Sequence, residues 1–177
     1  MSLVLLIVAC EVAFWVLLAA GLLARYLLRR PRLGALLLVL VPVVDLVLLV
    51  AATLDLQRGG EATVAHALAA VYLGVSVGFG HAMVRWADVR VAHWLGAGPP
   101  PPRPPRTGPA HARRERRQWL RHALAWAVGT ALMLLAWLVV GDPDRTEQLL
   151  QTAALWTLVL VIDGIVSLSY TVSPRRG

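Results

Sequence analysis

Lysine is absent from this sequence, cysteine occurs once, and charged residues of all kinds make up only 15% of the 177. Each shortage excludes something. The lone Cys10 allows neither an intramolecular disulfide nor a thiolate metal cluster. A soluble domain carries about 25% charged residues, so too little polar surface exists here to coat a water-soluble globule. His-Glu-x-x-His, a phosphate loop, a dinucleotide fingerprint and a serine nucleophile elbow are all missing. No catalytic residue, metal or cofactor is therefore assigned from sequence. What is abundant is apolar: 58% of residues, with a mean hydropathy of +0.68. That excludes whole-chain disorder, which needs low hydrophobicity, and leaves an integral membrane protein.

A hydrocarbon core about 30 Å thick takes about 20 apolar residues of helix. Five stretches qualify, at about 3–23, 33–54, 62–84, 119–140 and 149–170. Their continuity argues against barrel strands, which alternate apolar and polar over about 10 residues. The expected fold is all-α, a single polytopic bundle of five transmembrane helices.

All 17 basic residues are arginine, and they are segregated. The loop after the first span holds Arg25, Arg29, Arg30 and Arg32. The loop after the third holds Arg85, Arg90, Arg103, Arg106, Arg113, Arg114, Arg116 and Arg117, with Arg121 at the next helix start. The tail adds Arg175 and Arg176, while the opposite side has only Arg58 and Arg145. The positive-inside rule then places the N-terminus outside and the C-terminus in the cytoplasm of a bacterial cell, in the cytoplasmic (inner) membrane. The net charge of +7 follows from topology and does not imply nucleic acid. Arg113, Arg114, Arg116 and Arg117 are expected to contact anionic lipid headgroups, worth about 1 kcal/mol each. Residues 97–112 are proline-rich, which forbids helix and sheet and implies a flexible cytoplasmic spacer, with a protein partner as the alternative.

Chemistry, if any, lies with polar residues inside the spans. A centred carboxylate costs about 2.5–3.5 kcal/mol on insertion scales, so such groups face other helices or a cavity. Glu11 and Asp45 lie at similar depth, about 12 and 13 Å from the outer ends of spans one and two. His66 is about 6 Å deep in span three and completes a candidate outer cluster. Asp163 lies about 11 Å from the inner end of span five, on one face with Trp156, Ser167 and Tyr170. Its candidate partners are His122, Trp126 and Ser76. His81 and His122 sit at the inner ends of spans three and four, as a candidate haem pair or a solvated polar cluster. Ala62, His66, Ala70, Gly74 and Gly78 form a four-residue stripe that makes span three the expected centre of the bundle. Pro42 frees the carbonyl of Leu38 and should kink span two three residues before Asp45.

Several segments together resemble the YmcC-like bacterial integral membrane proteins: Glu11-Val-Ala-Phe-Trp15, Gly21-Leu-Leu-Ala-Arg-Tyr26, Pro42-Val-Val-Asp-Leu-Val-Leu-Leu-Val50, Ala65-His-Ala-Leu-Ala-Ala-Val-Tyr72, Trp86-Ala-Asp88, Gly141-Asp142 and Ile162-Asp163. The resemblance spans nearly the whole chain except the proline-rich loop. It implies a small multi-span inner-membrane protein and carries over no catalytic residue. The expected role is binding or assembly in the membrane, with structural intramembrane acids. The alternatives are a proton-linked transporter using Glu11, Asp45 and Asp163, and a membrane enzyme or haem protein.

Overall fold

The computed structural model describes residues 3–96, 98–102, 104–105 and 107–172; within these, the side chains of residues 3–8, 11, 52 and 172 lie outside the description. Glu11's side chain, Arg103, Arg106, Arg175 and Arg176 are thus outside the described residues. The elements are helical throughout. α1 (Leu3–Leu22) passes into a π-helical turn (Leu23–Leu27), followed by α2 (Pro31–Gln57), α3 (Val64–Trp94), α4 (Gly108–Val140) and α5 (Pro143–Val172).

Local chemistry sets the boundaries. Pro31 opens α2 in its first turn, where a missing amide hydrogen costs no helical bond. Between α4 and α5 the chain turns in two residues, Gly141 and Asp142. Gly141 takes the left-handed conformation at φ 68° and ends α4. The Asp142 carboxylate then accepts from the backbone N–H groups of Asp144 and Arg145, at 3.2 and 3.3 Å, and Pro143 begins α5. The proline-rich loop expected over 97–112 is shorter than that reading. α4 already begins at Gly108, because Pro109 sits in the first turn, where proline is tolerated. His111 and Ala112 are buried helical residues, and His111 Nδ1 lies 3.2 Å from the Pro105 carbonyl. Pro42 lies inside α2, which runs through it without a break.

α2, α3, α4 and α5 are each long and apolar enough to cross a membrane, and Val12–Leu27 is a shorter apolar helical stretch. In each of the four, no more than 28% of the apolar window is buried. Leu36, Val39, Leu138, Leu155 and Ile165 are among the large apolar side chains that face outward. Apolar surface of this extent is that of a membrane protein, with its backbone groups satisfied inside its helices. α3 has 31 residues and α4 has 33. At 1.5 Å per residue they are about 46 and 50 Å long, so both project well beyond a core of about 30 Å.

α3 touches α2, α4 and α5, and α4 likewise touches α2, α3 and α5, so the two share the centre that the stripe assigned to span three alone. Its approach to α4 is close enough to require glycine. A Cβ on Gly78 would lie 2.6 Å from the Arg121 carbonyl oxygen, and one on Gly74 would overlap the Ala125 carbonyl. From the other side, a Cβ on Gly129 would lie 2.9 Å from the Ala70 carbonyl. Beyond this contact, Leu49, Ala67, Ala70, Leu73, Met133, Ala136, Leu149 and Ala153 form the buried core. Ala70, Gly74 and Gly78 of the expected stripe therefore make the contact. Ala62 instead donates its N–H to the Arg145 carbonyl at 2.7 Å, tying the α2–α3 loop to α5.

Gly74→Leu should lower the thermal midpoint in detergent clearly, since overpacking costs about 1–3 kcal/mol. Gly80→Ala, where a Cβ meets open space, should leave the midpoint unchanged or raise it. Equal effects of the two substitutions would refute the close contact.

Candidate functional site

Three polar features stand out on this scaffold. The first joins the α1–α2 hairpin to α3. In the π-helical turn the Leu28 N–H donates to the Leu23 carbonyl at 3.0 Å, one residue further back than in an α-helix. From this turn Arg25 Nε donates to Asp88 Oδ1 at 2.6 Å, and Arg25 Nη2 binds Asp88 Oδ2. This is a two-point guanidinium–carboxylate fork. The Tyr26 hydroxyl donates to the same Oδ1 at 3.0 Å. Gly34 on α2 permits the geometry, since a Cβ there would stand 2.6 Å from Arg25 Cβ. The bond from Arg25, with a further one from Tyr26, holds the Asp88 carboxyl below the usual aspartate range, and the same fork pushes Arg25 up. Burial, then the bond to Asp88, pushes the Tyr26 phenol up. In the sequence alone Arg25 reads as a topology signal and Asp88 carries no assigned role. The available signal was that Asp88 and Glu115 are the only acids in the arginine-rich loops.

The second feature is a groove of about 910 Å³ beside that ion pair. Leu18 and Leu22 of α1, Leu38 of α2, and Phe79, Ala82 and Met83 of α3 give it an apolar floor. Tyr26 and Trp86 stand at its side, and Arg113, Arg114, Arg117 and Arg121 of α4 form its rim. Their i, i+3, i+4 spacing puts them on one helix face. The four arginines expected at headgroups thus divide. Arg113, Arg114 and Arg117 line the groove together with Arg121, which sequence reasoning left out. Arg116 points elsewhere and donates to the Thr171 hydroxyl of α5 at 2.9 Å.

The third feature lies between α4 and α5. The indole Nε1–H of Trp156 donates to His122 Nε2 at 3.0 Å. An indole nitrogen only donates, so Nε2 accepts and carries no proton. The ring proton is then on Nδ1, which donates to Asp163 Oδ2 at 2.9 Å. Both histidine nitrogens are committed. Two more indoles bridge the same helices. Trp126 donates to the Thr157 hydroxyl at 2.9 Å and Trp119 to the Leu160 carbonyl at 3.2 Å. Glycines make room for these rings: a Cβ on Gly164 would stand 2.8 Å from Trp119 Nε1, and one on Gly129 2.9 Å from Trp156 Cη2.

The remaining candidates do not gather. His66 Nδ1 accepts from the Thr63 backbone N–H at 3.0 Å and so caps the start of α3. Asp45 Oδ2 is buried without a hydrogen-bond partner. Glu11's side chain is outside the described residues, and no hydrogen bond joins Asp45 to His66 among the described residues. The facing pair of His81 and His122 is corrected. His122 spends its Nε2 lone pair on Trp156, and exposed His81 lies against Arg85 Nη2 at 3.1 Å. A bis-histidine iron site needs a free nitrogen on each ring. Among the described residues no three His, Cys, Asp or Glu side chains converge on one point.

Over 171 residues this chain is 41% identical to a protein of Bacillus subtilis (strain 168) named "Uncharacterized membrane protein YmcC". The alignment covers 97% of this chain and 92% of that one. No family model matches the chain, and no solved structure matches it.

His122→Ala and Asp163→Asn should be non-additive in a double-mutant cycle of thermal stability, with a coupling of about 0.5–2 kcal/mol. Strict additivity would break the assigned bond. The Asp88 carboxyl ionises more readily in the folded protein than free aspartate does. Its stabilisation is therefore present above about pH 3.9 and is lost as pH falls through the lowered value. Asp88→Asn should cost about 1 kcal/mol or less at pH 7, as suits a partly exposed pair, and should flatten the acid limb of a melting profile against pH.

Proposed function

The chain belongs to the family of the membrane protein YmcC, and from that premise we propose a five-span protein of the bacterial cytoplasmic membrane. Its N-terminus is outside, its C-terminus is in the cytoplasm, and its role is binding or assembly within the bilayer. The observation that carries this reading is the commitment of His122. With Nε2 accepting from Trp156 and Nδ1 donating to Asp163, the acid and the base best placed for proton chemistry hold two helices together. Intramembrane bonds of this kind average about 0.6 kcal/mol, which suits a register-fixing role. The orientation rests on arginine segregation, which puts the groove and its rim at the cytoplasmic end. Anionic lipids at that face are the first expected partners, and a cytoplasmic or membrane protein is the second.

One observation favours proton-linked transport as a second reading. Asp45 Oδ2 is buried and unpartnered in the continuous helix α2, and ionisable groups at membrane depth mark ion paths.

Two experiments test these readings, the first their shared orientation and the second the choice between them. In a Cys10→Ser background, Glu61→Cys should react with an impermeant maleimide in intact cells, and Thr107→Cys only after permeabilisation. The reverse pattern overturns the orientation. Carbodiimide labelling across a pH series, read by mass spectrometry, then tests the acids. The binding reading expects Asp163 to stay unlabelled although 42% of its side chain is accessible, because His122 holds it. Labelling of Asp45 that fades as pH rises, with a proton flux abolished by Asp45→Asn, would replace binding with transport.

A further inference from the structure

We propose that the groove between α1, α2, α3 and α4 holds one anionic phospholipid of the cytoplasmic leaflet, its acyl chains on the apolar floor and its phosphate on the arginine rim. This rests on the membrane orientation proposed above and deepens it by naming the ligand.

Charge is the first argument. No acidic side chain lines the groove among the described residues, while four guanidinium groups do. Arg114 has Glu115 Oε1 at 3.7 Å, whereas Arg113, Arg117 and Arg121 have no ion-pair partner among the described residues. Arg113, Arg117 and Arg121 are four residues apart in succession, and like charges so spaced destabilise a helix by about 0.2–0.5 kcal/mol per pair. The stripe is unfavourable when empty, and one phosphate relieves that repulsion. Arginine forks suit phosphate oxygens, which they bind at two points. The α1 wall does not compete for the anion, because Arg25 is neutralised by Asp88.

Depth is the second argument. The rim from Arg113 to Arg121 rises about 12 Å along α4. The headgroup layer is about 5–8 Å on each side, the difference between a hydrocarbon core of about 30 Å and a bilayer of about 40–45 Å. The rim therefore covers the layer where lipid phosphates lie. Below it, Leu18, Leu22, Ala82 and Met83 belong to the membrane-crossing parts of α1 and α3. An inorganic phosphate has no use for that floor, and an extended acidic peptide could not satisfy its backbone there. At about 910 Å³ the groove is at the upper end of the range for small-molecule sites.

The test is lipid retention by the full-length protein in native mass spectrometry, offered phosphatidylglycerol, cardiolipin, phosphatidylethanolamine or inorganic phosphate. The expected result is retention of the two anionic lipids over the zwitterionic one. Arg113→Gln, Arg117→Gln and Arg121→Gln should each weaken it about fivefold, and the triple variant about a hundredfold. Arg58→Gln, at the other end of the bundle, should not change it. Ala82→Phe keeps every arginine but fills the floor, and it too should lose the lipid. A soluble variant with the wild-type melting midpoint that behaves otherwise counts as a result, not as misfolding. Retention by Ala82→Phe would mean that the rim merely collects headgroups, and it overturns the groove. Displacement by inorganic phosphate would leave an anion site only, and displacement by soluble poly-glutamate would assign a protein partner; either overturns the proposal. Absence of any anionic preference, with the cysteine labelling as expected, sinks the lipid site while sparing the topology. Reversed labelling sinks the topology itself.

Discussion

The close approach of α3 and α4 is the constraint on which the rest of this structure depends. In a bilayer, apolar side chains gain nothing by leaving lipid for one another, so helices adhere through tight van der Waals contact. Gly74 and Gly78 bring α3 against the carbonyls of Ala125 and Arg121, and Gly129 brings α4 against the carbonyl of Ala70. Gly129 also receives the Trp156 indole. One missing side chain therefore sets the place of α5 as well as that of α3. Once α3 and α4 are joined at mid-depth, their long basic and aromatic ends must stand side by side beyond the hydrocarbon. The groove is the space left between those ends and the α1–α2 hairpin.

Polar contacts refine this frame and do different work on its two sides. Between α4 and α5, three tryptophans and one histidine spend their ring N–H groups on the neighbouring helix. Each such bond is weak in a membrane, but its geometry admits a single register, so the set specifies alignment more than it adds stability. On the other side, the hairpin packs on α3 through Leu49 and through Phe14 against Tyr72, and adds one ion pair with a tyrosine attached. That pair lies where water reaches part of it, so its worth is modest and falls in acid. It removes a cation from the α1 wall and leaves the net positive charge of the groove on α4.

Much of this was legible in the residues. Run lengths carry the all-helical, apolar architecture, because a bilayer demands long apolar helices. The pairing of Asp163 with His122 was a readable candidate, since seven-residue spacing aligned Trp156 and Asp163 on one face. The stripe from Ala62 to Gly78 was readable as a period, yet only its last three members meet α4. His66 caps its own helix, and Ala62 bonds across to α5. Pro109 misled as a loop residue because proline also suits a first helical turn.

By itself the sequence determined an all-helical membrane protein and the end at which its arginines gather, because solvent preference is a property of each residue and sums along the chain. The tertiary structure alone decided the pairings. Arg25 and Asp88 are 63 positions apart, and each reads singly as an ordinary interfacial charge. Arg116 and Arg117 are neighbours, yet one binds α5 and the other faces the groove, because a helix turns about 100° per residue. Which arginine meets which neighbour depends on how the helices are rotated against each other, and that is set by backbones in contact at glycine.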